Sequence, residues 1–495
     1  MKTKPNIIII CLDLGRPDYL GCYLSDRLVP SSAERSAEAG GFIRNTSPNI
    51  DRVAQNGVVF ESVTATAPWT IPSHASMFTG LYPHQHQANW HTFRIKPGIK
   101  TIFDLLTEQG YQSVAVTANT LLVSPYNMFG DRTKILNSVC RKHPEVSVFV
   151  DEFDERKTNA PAVANTFLGF LESFENDRPL LAYLNFYDLH SKYSAPEPFF
   201  SEFVSPAGRQ QLKNIGDLYN LHFKEMNHQV TITPDLITVL RDFYCAKLKM
   251  IDHYLGEIFN TLQEKKLWDN TLLVITSDHG DILGDHQRPS FHHQFSIYNA
   301  VLNIPLICHY PDFITKPKHI NAPLIQNIDI FPTILEICGL PTDHLLPGAP
   351  GKSLVNYFHQ NITASPRPFA IAQTNSPEIF LKRIGKQVES SYVKNLYAIQ
   401  NEKYKLIFSD SPLAPAGSEL SRPDFLELYN LESDKTEQHN IAEQHPDLVK
   451  LLKNMFFNLT QSETESPDAP ADSINFNEQA TAQLKKRLKI LGYLE

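Results

Sequence analysis

The run Asn6-Ile7-Ile8-Ile9-Ile10-Cys11-Leu12, closed at once by Asp13, constrains the fold more than any other segment. A short stretch that is apolar throughout and rich in β-branched residues reads as a buried strand. Lys2 and Lys4 precede it, yet it is shorter than a signal-peptide core and meets Asp13 without a small-residue cleavage site. Strand-like runs recur at Val58 to Val63, Ser113 to Val116 and Leu180 to Phe186, alternating with amphipathic segments at Ile50 to Gln55 and Ile102 to Gln109. Leu248, Ile251, Leu255, Ile258 and Leu262 lie at helical spacing, and Asp269-Asn270 then turns the chain into a strand from Thr271 to Thr276. A helix feeding a buried strand is a crossover unit. This rhythm predicts an α/β fold with a large, mostly parallel sheet flanked by helices. Ligand sites in such sheets lie beyond the carboxyl ends of strands, which is where Asp13 and Asp278-His279 fall.

After Gly351-Lys352-Ser353-Leu354 the runs become shorter and more polar, at Tyr392 to Gln400, Tyr404 to Ser409 and Phe425 to Leu431. They predict an antiparallel sheet, so we divide the chain into a catalytic domain at 1–365 and a smaller C-terminal α+β domain at 366–495. The polar stretch Thr460 to Ser473 reads as a solvated linker before a terminal helix from Glu478 to Ile490. Leu24 to Gly41 reads as an inserted surface loop.

The 495 residues are 42% hydrophobic, enough for a substantial core. With a formal net charge of -9, the chain lacks the basic excess that tracking a nucleic-acid backbone requires. The six cysteines (Cys11, Cys22, Cys140, Cys245, Cys308 and Cys338) have no zinc-knuckle or disulfide-framework spacing and read as buried free thiols. No run approaches the ~20 apolar residues that span a bilayer. A soluble, cytoplasmic protein is expected.

The segment Thr70-Ile71-Pro72-Ser73-His74-Ala75-Ser76-Met77-Phe78-Thr79-Gly80 places a hydroxyl residue before a Pro-Ser turn and a small-residue helix start. A helix N-terminus presents free N–H groups to an anion, so Thr70 reads either as part of an anion site or as an N-cap. Asp278-His279 fits a cation site or a solvated turn after a strand. His190, beyond Leu180 to Phe186, is a site residue or an exposed loop histidine. His84, His86 and His91, with Tyr82, Trp90 and Phe93, form a packed aromatic surface or border a pocket. Lys485-Lys486-Arg487 reads as a solvated helix face.

Further stretches complete a pattern: Pro5-Asn6-Ile7 through Asp13, Arg16-Pro17-Asp18-Tyr19-Leu20-Gly21-Cys22-Tyr23, Ser47-Pro48-Asn49-Ile50-Asp51-Arg52 and Gly80-Leu81-Tyr82-Pro83-His84. Thr276-Ser277-Asp278-His279-Gly280-Asp281, Asp329 to Thr333, and Leu428-Tyr429-Asn430-Leu431-Glu432-Ser433-Asp434 follow in order. Together with the Thr70 segment they resemble the sulfatase-like branch of the alkaline phosphatase superfamily over nearly the whole chain. The resemblance implies that Asp13, Asp278 and His279 hold a divalent cation, with the nucleophile at Thr70 as a further ligand. It also implies that His190 contacts the ester or assists the leaving group and that His293, with His292 and Gln294 as alternative occupants of that position, contacts the transferred group. His74 stands where the family usually has an Arg, which implies a substrate contact.

The chain departs from that family in three places. Sulfatases convert a Cys or Ser to formylglycine, whereas Thr70 carries a methyl on the carbon that would become the aldehyde. A plain alkoxide nucleophile is the natural alternative, as in relatives with Thr here, which are phosphodiesterases, nucleotide pyrophosphatases and headgroup phosphotransferases. Leu14 stands where sulfatases place another metal-binding Asp. The remaining mixed O/N set suits a single Mn2+ or Zn2+, with Ca2+ or Mg2+ as alternatives, and Asp285, His286, His292 and His293 are only loose candidates for a second ion. Finally, the Lys and His that sulfatases carry beyond their Gly-Tyr-x-Thr strand are replaced by Val116-Thr117-Ala118-Asn119-Thr120. The expected activity is cleavage of a small-molecule phosphate monoester or diester through Thr70. The alternatives are a sulfuric ester hydrolase and a degenerate member that binds a ligand without turnover.

Overall fold

The computed structural model describes residues 4–24, 45–123, 128–129, 133–136, 158–190, 194–216, 218–286, 291–341, 349–383, 385–409 and 425–461. Most of the Leu24 to Gly41 insertion and of the Thr460 to Ser473 stretch, the terminal helix Glu478 to Ile490 with its Lys485-Lys486-Arg487 face, and Cys140 lie outside the described residues.

Eleven strands build the first part of the fold: β1 (Asn6–Leu12), β2 (Val58–Phe60), β3 (Val63–Thr64), β4 (Gln112–Thr117), β5 (Lys134–Leu136) and β6 (Leu180–Phe186), then β7 (Thr271–Thr276), β8 (Asn303–Ile304), β9 (Leu306–His309), β10 (Lys318–Ile320) and β11 (Ile325–Gln326). The main sheet has eight strands in the order β10-β2-β9-β7-β1-β6-β4-β5. Only β9 runs against its neighbours, pairing antiparallel with β2 and β7. A small sheet, β11-β3-β8, lies alongside. The expected strand Val58 to Val63 is therefore two strands in two sheets.

Central β1 pairs in parallel with both β6 and β7. Its side chains alternate between two cores, which explains why every position from Ile7 to Leu12 is apolar. Ile7, Ile9 and Cys11 join Trp69, Phe78 and Leu106 on one face. Ile8, Ile10 and Leu12 join Phe167, Ile251 and Leu255 on the other. The helix Pro234–Glu264 supplies much of that second layer; Thr233 caps it by accepting from the Leu236 N–H, and Pro234 sets its first turn. It begins a full 14 residues before Leu248, where the apolar stripe becomes regular. Leu248, Ile251, Leu255, Ile258 and Leu262 are all buried. Each contributes roughly 1.5–3 kcal/mol as an upper bound.

The second sheet is antiparallel, as expected: β12 (Ala370–Thr374), β13 (Leu396–Gln400), β14 (Tyr404–Phe408) and β15 (Leu426–Asn430), in that order. Ile371, Ile399, Leu406 and Leu428 face the helix Pro446–Gln461, whose Leu448, Leu452 and Phe456 cover them. Ala372, Ala398, Ile407 and Tyr429 face the main core. Buried Lys405 and Glu437 pair at 2.6 Å, and Lys405 also donates to Asn299 at 2.8 Å. A second buried pair, Arg367 with Asp329, ties this sheet's approach to the helix Ile330–Ile337. Among the described residues no helix is long and apolar enough to cross a membrane. Five of the cysteines are free thiols.

Candidate active site

Four parallel strands end at one place. Asp13 follows β1, Asp278 and His279 follow β7, Asn119 follows β4 and His190 follows β6. The Asp13 N–H donates to Phe186 O at 3.0 Å, which fixes the end of β1 against β6. Leu14 then takes a left-handed backbone, φ 71, its carbonyl accepting from the Tyr244 hydroxyl at 2.8 Å. That conformation costs a non-glycine residue on the order of 1–2 kcal/mol. The buried Leu14 side chain anchors the turn in the core and offers no ligand atom.

Thr70 is the first residue of the helix Thr70–Thr79, and its N-cap is Trp69, which makes no side-chain capping bond. Its hydroxyl is thus not the cap. Pro72 in the first turn lacks an N–H where no intrahelical partner exists. Gly80 ends the helix at φ 71, and a Cβ there would meet Phe331 at 2.9 Å. The whole helix is buried. Its stacked Trp69 and Trp90 rings, 3.5 Å apart, with Phe93 beside them, form the packed aromatic cluster expected around Trp90. His86 Nδ1 accepts from Ala88 N–H at 3.1 Å, so its Nε2 carries the proton toward Ser76 Oγ at 3.0 Å. His84 Nδ1 bonds to Gln373 at 2.9 Å, and His91 is exposed.

At the centre, Asp13, Asp278 and His279 are fully buried and each offers one ligand atom within 4.8 Å of the others. Asp13 Oδ1, Asp278 Oδ2 and His279 Nε2 lack hydrogen-bond partners among the described residues. Their other polar atoms are held. Asp13 Oδ2 accepts from Asn119 at 3.0 Å and Asn185 at 3.2 Å, and Asp278 Oδ1 accepts from the His279 N–H at 2.9 Å. His279 Nδ1 donates to Gly280 O at 3.1 Å, which assigns the Nε2 lone pair to the centre. Three orphaned, buried donors of this chemistry fit one divalent cation, and the held atoms orient them for it.

The charges of the three groups depend on one another. Burial, then repulsion from Asp278, pushes the Asp13 carboxyl up to about 8. Burial also disfavours charge on Asp278, but His279 and His74 outweigh it and hold the carboxyl below its usual range. Burial likewise opposes charge on His279, yet Asp278 prevails and raises the imidazole to about 9. Two buried carboxylates this close cannot both ionise without a neighbouring positive charge.

His190 is mostly buried, with Nε2 at 3.6 Å from Asp13 Oδ1 and Nδ1 at 3.3 Å from Tyr187 O. The His293 ring stacks on His279 at 4.3 Å and stands 5.6 Å from His190. Burial, then the neighbouring histidines, holds His293 well below its usual range, so it is neutral. These residues come together as expected. His74 sits differently: its Nδ1 donates to Thr70 O at 2.8 Å and lies 3.4 Å from Asp278 Oδ2, while Nε2 meets the Tyr183 hydroxyl at 2.5 Å. One helical turn below Thr70, this fully buried ring has protein partners on both nitrogens, in place of the substrate contact expected of it. Asp285 is engaged by Arg16 at 2.5 Å and Arg241 at 3.1 Å, and His286 stacks on Tyr298 at 3.7 Å, so neither joins the Asp13 group. Asn119 and Asn185 escaped the sequence reading. Asn119 lay in the segment noted only for its missing Lys and His, and Asn185 looked like one polar residue within β6.

Residues 5–340 match the sulfatase family model, and 286–465 match the C-terminal model of N-sulphoglucosamine sulphohydrolase. Arylsulfatase K of Gallus gallus is 23% identical over 480 residues, covering 89% of this chain and 82% of its own. The crystal structure of a phosphonate monoester hydrolase of Agrobacterium radiobacter is similar with a TM-score of 0.65 at 20% identity, covering 93% of this chain and 96% of that one. A structure in complex with its substrate D-glucosamine-2-N,6-O-disulfate has a TM-score of 0.66 at 19% identity, covering 94% and 100%. With an alkaline phosphatase-like fold, a convergent Asp/His centre and a family match across two thirds of its length, the chain belongs to the sulfatase family and is a hydrolase of ester bonds.

Proposed function

We propose that the chain cleaves a phosphate monoester or diester of a small molecule, with Thr70 as the nucleophile. The observation that carries this reading is a threonine at the first helical position whose hydroxyl shares the Asn119 amide with Asp13, one of the three convergent groups Asp13, Asp278 and His279. A threonine cannot become formylglycine, so the hydroxyl itself must react. One divalent ion held by Asp13, Asp278, His279 and Thr70, with Mn2+ or Zn2+ preferred, would neutralise ester oxygens and acidify the Thr70 hydroxyl.

The residues then divide the work. In the first step the Thr70 hydroxyl gives up its proton to solvent and its oxygen forms a bond to phosphorus as the bond from phosphorus to the ester oxygen breaks, and the alcohol leaves with a proton. His190, beside Asp13, is placed to give that proton. Neutral His293 is placed to donate a hydrogen bond to an oxygen of the transferred group. In the second step water attacks the phosphothreonine, returns the hydroxyl to Thr70 and releases the phosphate product. All of these residues lie within the proposed catalytic domain, 1–365.

Sulfate esters are the second reading, favoured by relatives whose names describe sulfatases. An assay with aryl phosphate, aryl phosphodiester and aryl sulfate, after chelation and with each divalent metal restored, ranks the two. Phosphoester turnover that depends on metal and disappears in Thr70→Ala supports the proposal. Turnover of aryl sulfate alone would replace it with the second reading.

A further inference from the structure

We infer that Lys247 is a positioning residue for His190, gripping the turn that carries this histidine out of β6; this rests on the reading of His190 as the proton donor to the leaving alcohol. Lys247 lies on the helix Pro234–Glu264 and is 2% exposed. Its Nζ donates to Leu189 O at 2.8 Å and to His190 O at 3.0 Å. The same helix holds the other loops of the site in the same way. Arg241 Nε donates to Leu283 O at 2.7 Å, beyond β7, and the Tyr244 hydroxyl donates to Leu14 O at 2.8 Å, beyond β1. Arg241, Tyr244 and Lys247 follow one another at a spacing of three, so each neighbouring pair shares a helix face. Successive donors thus reach the carbonyls beyond the three strands that deliver Asp13, His190, Asp278 and His279.

A lysine is an unfavourable residue to bury here. Burial disfavours its charge and brings the amine down to about 7, although Asp281 and Asp188 favour the ammonium. Its helix neighbours Phe243, Leu248, Met250 and Ile251 are buried apolar residues, and an apolar side chain in its place would carry no such penalty. What the amine supplies is donors. Charged or neutral, it keeps at least two N–H groups, one for each carbonyl. Both partners belong to the backbone, so the amine acts on the turn and, through the turn, on His190. Asp188 Oδ1 ties the start of that turn to the Asn159 N–H at 2.5 Å and to Thr158 Oγ1 at 2.9 Å. The His190 ring then lies 3.9 Å from the Tyr187 ring, with Nε2 at 3.6 Å from Asp13 Oδ1. Holding the His190 carbonyl fixes the backbone from which this ring projects, and a misplacement of about 1 Å in such a group costs on the order of 10²-fold in rate.

Lys247→Met keeps the length of the side chain and removes its donors, whereas Lys247→Gln keeps two N–H groups without a charge. Each is made alone and together with His190→Ala, and Tyr244→Phe, which releases the loop beyond β1 instead, is the control. Lys247→Gln carries the comparison alone if Lys247→Met does not fold. Thermal unfolding and elemental metal content are measured on each. Steady-state kinetics then compare two aryl phosphodiesters, one losing p-nitrophenol and one losing phenol. A proton delivered to the departing oxygen matters more for phenol, the poorer leaving group. Lys247→Met is expected to lower kcat on the phenyl ester roughly 10-fold to 10²-fold and on the p-nitrophenyl ester severalfold less, with KM and metal content near wild type. It is expected to add no further loss once His190 is alanine, and Lys247→Gln is expected to lose less than Lys247→Met. Tyr244→Phe is expected to treat both esters alike. An equal loss on the two esters, or the same loss with and without His190, overturns the inference and leaves the reading of His190 standing. A His190→Ala variant that slows both esters equally removes that reading, and the inference with it.

Discussion

The floor of the site and its histidine rim are built differently. Asp13, Asp278 and His279 sit directly on strand ends, fully buried, with every atom not aimed at the centre already bonded. His190 and His293 come from longer connections: His190 meets the His293 ring edge to face, and His293 stacks on His279. The floor is positioned by the sheet, which cannot move without breaking the core. The rim histidines are held by contacts between rings rather than by the strands themselves.

Removing the proposed nucleophile has the largest expected effect. Thr70→Ala is expected to lower kcat by roughly 10⁴-fold or more while changing substrate binding little, and Thr70→Ser is expected to retain activity; steady-state kinetics with phosphoesters measures both. Asp278→Ala is next. It is expected to take metal content from about one ion per chain to nearly none, read by elemental analysis after reconstitution, and an unchanged content would remove Asp278 from the ligand set. On the rim, His190→Ala and His293→Ala are each expected to lose roughly 10²-fold to 10⁴-fold in kcat with metal content preserved. Loss of metal in either would erase the distinction between floor and rim.

Two smaller effects separate the site from its scaffold. Asp329→Ala leaves the buried Arg367 without its partner and is expected to cost about 3–5 kcal/mol in denaturant unfolding, with metal affinity retained. His86 carries a pH dependence. Burial first, then His84, lowers it to about 3, and its Nδ1 is already an acceptor for Ala88. The unfolded chain binds this proton near pH 6.5 and the folded chain does not until about pH 3, so stability is present above 6.5 and lost as pH falls toward 3. The loss is about 1.4 kcal/mol per unit, and unfolding of His86→Gln should decline less steeply over that range.

The same contrast governs what the sequence made legible. Strands β1, β6 and β7 appear in it because full burial demands runs that are apolar at nearly every position, and the floor residues appear because they close those runs. The edge strands β5 and β10 are three residues each, too short to carry a pattern. The helix Pro446–Gln461 was not anticipated, although its Leu448, Leu452 and Phe456 cover the second sheet. Asn119 went unremarked, and the partners of His74 were not foreseen, for a common reason: the bonds that hold them cross between elements, Asn119 from β4 to Asp13, His74 from the Thr70 helix to Tyr183. Residue type and spacing alone do not encode such partners.

Central to this account is the covalent role of Thr70, and one measurement addresses it directly. Wild-type protein turning over an aryl phosphodiester is acid-quenched within a single turnover, and peptides spanning Ala67 to Met77 are analysed by mass spectrometry. The account predicts a phosphoryl group on Thr70 that appears and decays at the rate of turnover, on an otherwise unmodified side chain. Full turnover with Thr70 never modified would contradict it and assign the attack to water.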